Sequence, residues 1–383
     1  MSEHLASYGA GAAAPATHVA ALRFEKARLS SFRNIESATL EPSPRFNLIW
    51  GDNGQGKTSV LEALYAVATT RSFRTEKLAQ ALRTGDEQAR VTARVREDDF
   101  ARELALRFGA RGRSVELDGK RPKTLASYAV RTPVVVFHPR DLELVTGAAV
   151  ERRRLLDRLI LHADPTGTEA GRRYAEALQD RQRLLDDRGV SAAELGDFES
   201  IAAEHGARLA RARAEAAESL LPELNGAFAS VAAQGLELQA EYLAGGTQNR
   251  EDFEAELRAR RPQDARRARA SFGPQRDELQ LLVDGRLARS DASQGQQRLL
   301  SLSLKLAELR FIERARRARP VLLLDDVSSE LDAERTTSVL SLLGATQGQI
   351  FVTTTRPELF QATAFASADR AEFRVQNGVA SRL

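Results

Sequence analysis

Residues 51–58 form a glycine-rich segment that constrains the fold of this chain more than any other feature of its sequence. The segment matches the pattern G-x-x-x-x-G-K-[ST] at every fixed position. A short apolar run at 46–50 precedes it, and apolar residues at helical spacing follow it over 60–65. In this context the glycines let backbone N–H groups approach a polyphosphate, and the helix start adds a positive dipole end. The sequence therefore predicts an α/β fold with a phosphate-binding loop.

Two side chains of this loop have predicted roles at a nucleoside triphosphate. Lys57 is expected to reach the β- and γ-phosphates, and the Thr58 hydroxyl is expected to hold Mg²⁺. The alternative is an ordinary glycine-rich turn ahead of a helix. The predicted nucleotide-binding residues of this region are Gly51, Asp52, Asn53, Gly54, Gln55, Gly56, Lys57, Thr58 and Ser59.

Composition describes a water-soluble globular protein without thiol chemistry. The 383 residues suffice for two or three domains, with 42% hydrophobic and 28% charged residues. The sequence holds no apolar run of the roughly 18 residues that a membrane span needs. It has no cysteine, which excludes disulfides and fits a cytoplasmic protein. Residues 1–20 are rich in Ala, Gly and Ser and predict a disordered leader, not a signal peptide.

The net charge is only +3, but arginines are clustered at 152–154, 208–213, 258–261 and 266–269. Arginine favours bidentate phosphate contacts. Such clusters are also typical of solvated helix faces, so charge alone leaves both interpretations open. No module that reads base sequence in a groove is visible.

Hydrophobic periodicity divides the chain into two strand-rich ends and a helical middle. We predict strands around 22–29, 91–96, 103–108, 114–119, 134–137, 236–243, 279–283, 321–326 and 349–353. Helical spacing dominates from about 150, and one long helix is predicted over about 192–231, with Pro222 inside it. Its extensive polar faces indicate a projecting helical arm that packs against its neighbours.

A second part of the predicted site lies far along the chain. The apolar run 321–324 ends in Asp325 and Asp326 and has the form of a Walker B strand. At the carboxyl edge of a parallel sheet, Asp325 can hold Mg²⁺ directly or through water. An aliphatic strand that ends in Asp is weak evidence alone, but it gains weight from the loop at 51–58. Its distance from Lys57 indicates that a large insertion divides the site.

Two motifs near this strand resemble the ABC ATPase superfamily. Residues 293–297, Ser-Gln-Gly-Gln-Gln, lead into a predicted helix and resemble the superfamily's signature. Ser293, Gly295 and Gln296 are therefore candidate nucleotide ligands, since a helix start with Ser and Gly can receive an anion. The alternative is a simple helix N-cap at Ser293. Residues 328–332 resemble the D-loop, and the split arrangement matches the SMC-type branch.

Several less general blocks resemble the RecF family of bacterial recombinational-repair proteins, over about residues 22–383. These blocks lie at 51–65, 70–74, 135–142, 151–157, 273–277, 293–297 and 324–332. The resemblance implies an ATPase head split between N- and C-terminal halves, with an inserted helical arm. We expect a leader at 1–20, head halves at 21–150 and 266–383, and the arm at 151–265.

The resemblance also implies a function. Members bind ATP and Mg²⁺, form an ATP-dependent homodimer, and grip single- and double-stranded DNA at gaps and junctions. They act with RecR and RecO in loading RecA, in replication-fork repair and in the SOS response. In this superfamily Ser293 and Gly295 would reach the γ-phosphate held by the other subunit.

The same resemblance assigns roles to catalytic residues. Lys57, Asp325 and Asp326 would carry the chemistry, and Asp326 stands where most ABC ATPases have a Glu. The shorter carboxylate, and the Thr353–Thr355 run where a switch His is common, suggest slow, DNA-dependent hydrolysis. A structural role is expected for His138, and Arg33 and Asn34 are expected either to contact phosphate or to form a turn.

Alternatives to this function remain open at the level of sequence. One is a non-hydrolysing SMC-like scaffold whose function depends on ATP binding alone. Another is the ATP-binding subunit of a membrane transporter, which the long arm and the split site disfavour. An overcoming-lysogenization-type nuclease is disfavoured because little chain follows Asp325.

Overall fold

The structure, a computed structural model, describes residues 19–232, 235–326, 347–360 and 369–383. The D-loop prediction at 328–332 lies outside these residues. The strands are β1 Ala20–Phe32, β2 Ile35–Leu40, β3 Phe46–Trp50, β4 Gln88–Glu97, β5 Phe100–Gly109, β6 Gly112–Leu117, β7 Val134–Phe137, β8 Leu238–Leu243, β9 Glu278–Val283, β10 Arg286–Leu287, β11 Ala318–Arg319, β12 Val321–Asp325, β13 Ile350–Thr354, β14 Arg370–Gln376 and β15 Val379–Arg382.

The α-helices begin directly after the glycine-rich loop and dominate the middle of the chain. They are α1 Lys57–Thr69, α2 Leu125–Ala129, α3 Glu143–Thr146, α4 Ala149–Ala163, α5 Gly167–Arg188, α6 Leu195–Val231, α7 Arg250–Ala259, α8 Arg261–Arg267, α9 Ala288–Asp291 and α10 Gln294–Arg316. No helix in the described ranges is both long and apolar enough to cross a membrane.

The central sheet is assembled from both ends of the sequence. Its strand order is β15-β14-β3-β13-β12-β7, and β15 is the antiparallel edge strand. β3 lies between β14 and β13, whereas β12 lies between β13 and β7, all in parallel register. Strands buried on both faces read as continuous apolar runs, as β12 does. The predicted α/β head, split between the two halves of the chain, is confirmed.

A second, antiparallel sheet covers the first helix. Strands β1, β4, β5 and β6 pair in that order, and β2 pairs with β1 on the other side. Helix α1 lies between this sheet and the central one, so it is apolar almost all round: Val60 and Leu64 are fully buried with Phe24 and Leu323. Its position fixes the direction in which the glycine-rich loop opens.

The arm helices share one apolar core with the head. Buried side chains run from Leu48 and Leu324 in the sheet through Leu304 of α10 and Leu156 of α4 to Leu220 of α6. The long helix predicted at 192–231 is observed as α6, which continues through Pro222. A small sheet, β10-β9-β8, adjoins this layer.

Some elements differ from the sequence-based expectation. The first region is one 13-residue strand, β1, because its alternation of buried and exposed residues continues through a bulge between Phe24 and Lys26. The hairpin β14–β15 was not predicted, although its turn residues, Asn377 and Gly378, form the dipeptide most typical of a tight hairpin.

Candidate nucleotide-binding site

The glycine-rich loop leaves β3 at the carboxyl edge of the central sheet and is closely packed from behind. Gly51 has φ 151°, and a Cβ atom there would lie 2.2 Å from the carbonyl oxygen of Val375 in β14. Only glycine fits between the loop and this strand. The loop backbone is thereby held at the start of α1, and the free N–H groups of a helix start favour an anion.

Lys57, the first residue of α1, folds back over the loop. Its Nζ donates hydrogen bonds to the carbonyl oxygens of Gly51 and Asp52, both at 2.8 Å. The side chain is buried, and burial lowers the pKa of Lys57, while the carboxylates of Asp326, Asp325 and Asp52 act in the opposite direction. The ammonium group is therefore held at the mouth of the loop by carbonyl groups that a phosphate can replace.

Thr58 and Asp325 meet across the sheet edge, although 267 positions separate them in the sequence. The Thr58 hydroxyl donates to Asp325 Oδ1 at 2.8 Å, and the Thr353 hydroxyl donates to the same oxygen at 2.8 Å. Burial raises the pKa of Asp325, and these two hydrogen bonds oppose the shift. The two halves of the predicted site are thus brought together at one carboxylate.

Thr353 also positions the second carboxylate. Its hydroxyl oxygen accepts a hydrogen bond from the backbone N–H of Asp326 at 3.0 Å. Asp326 has φ 51°, a left-handed conformation that turns the chain sharply after β12. Asp326 and Thr353 both line the cavity in front of the loop, where Asp326 faces Lys57.

The cavity has a volume of about 720 Å³, within the range of roughly 300–1,000 Å³ typical of small-molecule sites. Its walls combine the glycine-rich loop, the Thr58 hydroxyl and the Asp326 side chain, whereas Asp325 is not among the lining residues and meets the cavity through its hydrogen bond with Thr58. Hydroxyl and carboxylate oxygens are ligands of the kind Mg²⁺ prefers. The described residues contain no group of three or more His, Asp or Glu side chains that could hold a metal alone. This donor set suits an ion that takes its remaining ligands from phosphates and water. The lining residues are Arg33, Asn34, Asn53, Gly54, Gly56, Lys57, Thr58, Ser59, Arg74, Gln80, Leu82, Arg83, Thr84, Asp326 and Thr353.

Asn34 supports the loop from the turn between β1 and β2. Its Nδ2 donates to the Gly54 carbonyl oxygen at 3.1 Å, and its Oδ1 accepts from the Ser59 hydroxyl at 3.0 Å. The sequence predicts either a phosphate contact or a turn for Arg33 and Asn34. In the structure the two residues occupy a turn, and Asn34 braces the loop that lines the cavity.

Arg33 is held by a buried carboxylate. Its guanidinium forms a bidentate pair with Glu62 of α1, at 2.9 and 2.6 Å. Arg74 and Ser72 also donate to Glu62, which is fully buried. Arg33 and Arg74 thus line one wall of the cavity from positions fixed by α1.

The C-terminal hairpin is the support that sequence reasoning missed. The backbone N–H of Asn377 donates to Gln55 Oε1 at 2.6 Å, and that of Gly378 donates to the Gln55 carbonyl oxygen at 3.0 Å. Gly378 has φ 77°, and a Cβ there would lie 2.4 Å from the Asn34 carbonyl oxygen. The Asn-Gly pair was the available signal, but a hairpin signal does not say what the turn will contact.

His138 follows β7 and caps the next turn. Its ring Nδ1 accepts a hydrogen bond from the backbone N–H of Arg140 at 3.2 Å. Its backbone N–H donates to Asp141 Oδ2 at 2.8 Å. The ring stacks on Phe73 at a centroid distance of 5.1 Å, and burial lowers the pKa of His138. These contacts describe a structural role.

The signature segment lies away from the cavity of its own chain. Ser293 is the N-cap of α10: its Oγ accepts from Gln296 N–H at 3.3 Å, and Gln296 Oε1 accepts from Ser293 N–H at 2.8 Å. Ser293 is exposed, and neither Ser293, Gly295 nor Gln296 is among the residues that line the cavity. Nothing in the described chain brings these three residues to the loop at Gly51–Thr58.

Comparison with known proteins places this geometry in a family. A family model described as an AAA domain matches residues 26–124. The DNA replication and repair protein RecF of Anaeromyxobacter sp. (strain Fw109-5) is 37% identical over 366 residues, which cover 93% of this chain and 98% of that protein. RecF of Myxococcus xanthus (strain DK1622) is 36% identical over 358 residues, which cover 90% and 93%.

Solved structures support the same family assignment. One described as the recombination mediator protein RecF-ATP in the RecFOR pathway is 27% identical, with a TM-score of 0.86, and covers 97% of this chain and 100% of that chain. An Smc head domain derived from Pyrococcus furiosus, 16% identical with a TM-score of 0.54, covers 94% and 96% and shows a shared fold alone. The predicted family is confirmed: this chain belongs to the RecF family of DNA replication and repair proteins.

Proposed function

We propose that this chain is an ATP-switched DNA-binding protein of recombinational repair and replication-fork maintenance. It closes into a homodimer when ATP and Mg²⁺ are bound, and the dimer grips single- and double-stranded DNA at gaps and junctions. It acts with RecR and RecO in the loading of RecA, and it hydrolyses ATP slowly. The arm within 151–265 joins the head halves at 21–150 and 266–383.

The contact between Thr58 and Asp325 is the single observation that carries the nucleotide part of this proposal. Their shared hydrogen bond, with Lys57 and the loop N–H groups beside it, forms a receptor for a triphosphate. Lys57 would bind the phosphates, and Thr58 and Asp325 would hold Mg²⁺. Bound Mg²⁺ would neutralise charge that develops on the phosphate oxygens. A solved relative is described as RecF-ATP, which supports the choice of ATP.

The position of the signature segment supports the dimer. Ser293 and Gly295 stand at the exposed N-terminus of the 23-residue helix α10, where the helix dipole favours an anion. They are absent from the cavity wall of their own chain. A second copy could bring this helix start to the cavity, so that each site is completed by the partner.

The residues near Asp326 support slow hydrolysis. Asp326 is one methylene shorter than Glu and lies in a tight turn that Thr353 fixes through its hydroxyl. A carboxylate held back in this way reaches less far toward an attacking water. Thr353 is committed to two hydrogen bonds in this turn. Phosphate release should therefore be slow but should fall further in Asp326→Asn.

The proposal is tested by measuring mass and DNA binding together. Light scattering with and without ATP and Mg²⁺ should show monomer and dimer, and gapped, single-stranded and duplex DNA should bind more tightly to the dimer. Lys57→Ala should lose both effects. A wild-type protein that neither dimerises nor binds DNA more tightly with ATP would contradict the proposal.

A mixing experiment tests whether Ser293 acts on the partner. Ser293→Asp keeps a good helix cap but places a negative charge at the anion receptor, whereas Ser293→Asn keeps the cap without the charge. Lys57→Ala and Ser293→Asp should each lose ATP-dependent dimerisation and DNA binding. Their mixture should regain one intact site per mixed dimer, because Lys57 of one subunit then meets Ser293 of the other. A mixture as inactive as its components would show that the signature acts within its own chain.

A further inference from the structure

The arm neutralises most of its arginines with its own carboxylates. The pairs include Arg172 and Arg173 with Glu169, Arg188 with Glu194, Arg258 with Glu254, and Arg261 with Glu199. Several of these pairs join residues three or four positions apart on one helix face, where opposite charges meet. Arginine in the arm is therefore usually matched locally, and an unmatched group stands out.

The segment that directly follows the arm, residues 266–276, departs from this rule. Arg266 and Arg267 at the end of α8, Arg269 in the following loop, and Arg276 before β9 are all exposed. None of the four forms an ion pair within the part of the chain that the structure describes; Arg266 donates only to the carbonyl oxygen of Pro262. Four guanidinium groups in eleven positions therefore face solvent without a counter-charge.

Two of these arginines line a groove against helix α5. The groove has a volume of about 590 Å³, and its walls are Leu178, Gln179, Gln182, Arg183 and Asp186 of α5, with residues 268–270, Gln275 and Arg276 opposite. Arg269 and Arg276 supply two positive charges without an ion pair, whereas Arg183 pairs with Asp180 at 3.1 Å. Asp186 is the single carboxylate of the lining, and it accepts a hydrogen bond from Gln182 Nε2 at 2.8 Å.

The loop that carries Arg269 and Arg276 is held in place from below. Asp264, fully buried, accepts from both the N–H and the hydroxyl of Ser271, at 2.9 and 2.7 Å. Gln275 donates to the Phe272 carbonyl oxygen at 2.7 Å and accepts from the Tyr174 hydroxyl at 2.5 Å. A groove fixed in this way loses little conformational freedom when a ligand binds.

We propose that this groove binds the sugar–phosphate backbone of a DNA strand, at a site between helix α5 of the arm and residues 268–276, separate from the nucleotide cavity. Guanidinium groups without an ion pair can bind phosphates in bidentate fashion. Positive charge without a counter-charge also complements the polyanionic backbone of DNA. This inference rests on the DNA-binding part of the proposed function.

The test compares unpaired with paired arginines. Arg269→Ala/Arg276→Ala removes two unmatched charges of the groove, whereas Arg172→Ala/Arg258→Ala removes two charges of the adjoining arm that already have partners. Fluorescence anisotropy with labelled single-stranded and duplex DNA is measured with ATP and Mg²⁺ over a series of salt concentrations. The groove variant should bind at least roughly 10-fold more weakly, and its salt slope should fall by about 0.9 per lost duplex contact or about 0.7 per lost single-strand contact. The paired-arginine variant should match wild type.

The outcomes separate this site from the proposed function. Light scattering should show the same ATP-dependent dimer for wild type and both variants. A groove variant with wild-type affinity and slope would overturn the DNA groove while the proposed function stands. An equal loss in both variants would also overturn it, because the effect would then follow net charge. A wild-type protein that binds no DNA would overturn both proposals.

Discussion

The helical arm and the nucleotide cavity both bury charged side chains, but they satisfy them in different ways. In the arm, Arg181 donates to Glu199 at 3.0 Å, to Asp264 at 2.9 Å and to the Leu257 carbonyl oxygen at 2.6 Å. In the cavity, Lys57 donates to two carbonyl oxygens of its own loop. The arm contacts are complete without a ligand. In the cavity, Lys57 is hydrogen-bonded through the ammonium group that a phosphate would engage. The contacts of the arm therefore stabilise the fold, whereas those of the cavity can be exchanged for contacts with a ligand.

Arg181→Ala should have the largest effect on stability. It leaves Glu199 and Asp264 buried, each with one charged partner fewer, and breaking a buried ion pair costs about 3–5 kcal/mol. Urea unfolding should show a loss of this size, while the folded fraction should bind ATP with wild-type affinity. Arg172→Ala is the control, since its partners Glu169 and Glu176 are exposed, and its urea midpoint should stay close to that of wild type. Equal effects of the two variants would contradict the distinction between arm and cavity.

His162 is an exception to the complete pairing of the helical layer. It lies buried in α4, and its Nδ1 accepts no hydrogen bond from the described residues. Burial lowers the pKa of His162 to about 4; Glu308 opposes this shift, whereas Arg316 and Arg158 reinforce it. Because the unfolded histidine has a pKa near 6.5, its contribution to stability is present above that pH and is lost as the pH falls toward 4.

The variant that tests this contribution of His162 to stability is His162→Gln. Between roughly pH 7 and pH 4, the free energy of unfolding of wild type should fall by about 3 kcal/mol more than that of the variant. The difference should change by at most about 1.4 kcal/mol per pH unit. Urea midpoints across this range measure the difference. Other histidines titrate in both proteins, so the difference between the two curves isolates His162. Parallel curves would show that this position does not carry the proton linkage.

The same comparison explains which features the sequence could predict. The loop at Gly51–Thr58, the strand ending at Asp325 and the helix after Ser293 are local patterns, and each was observed where periodicity placed it. Hydrogen bonds between distant residues leave no such pattern. Nothing in the sequence around Asn34, Thr353 or the 377–378 turn says that these residues meet at the loop, because the sheet order decides which turns adjoin.

Gly378→Ala tests the hairpin that holds the loop. The new Cβ would lie 2.4 Å from a backbone oxygen of Asn34, and the φ of 77° disfavours any L residue. We expect a loss of about 1–3 kcal/mol in stability and weaker ATP binding, because both Gln55 and Asn34 must shift. Gly285→Ala in the turn between β9 and β10 is the control: its φ is 73° and it follows Asp284 with φ 50°, as Gly378 follows Asn377, but no atom lies within 4 Å of its Cβ. Equal effects in both would show that backbone strain, and not the contact with the loop, is responsible.

Gln55→Met should have the smallest effect and tests the cavity side most directly. Methionine keeps the side-chain length but cannot accept the N–H of Asn377, while the bond from Gly378 N–H to the Gln55 carbonyl oxygen remains. Asn377 is exposed, so water can replace the lost acceptor, and one net hydrogen bond is worth about 0.5–1.5 kcal/mol. ATP affinity should fall roughly 2- to 10-fold at nearly constant urea midpoint, measured by titration of a fluorescent ATP analogue. Gln80→Met changes a glutamine of the cavity lining that makes no hydrogen bond to the hairpin within the described residues, and it should bind like wild type. If Gln55→Met instead lowered stability and left affinity unchanged, the hairpin would belong with the completed contacts of the arm and not with the exchangeable ones of the cavity.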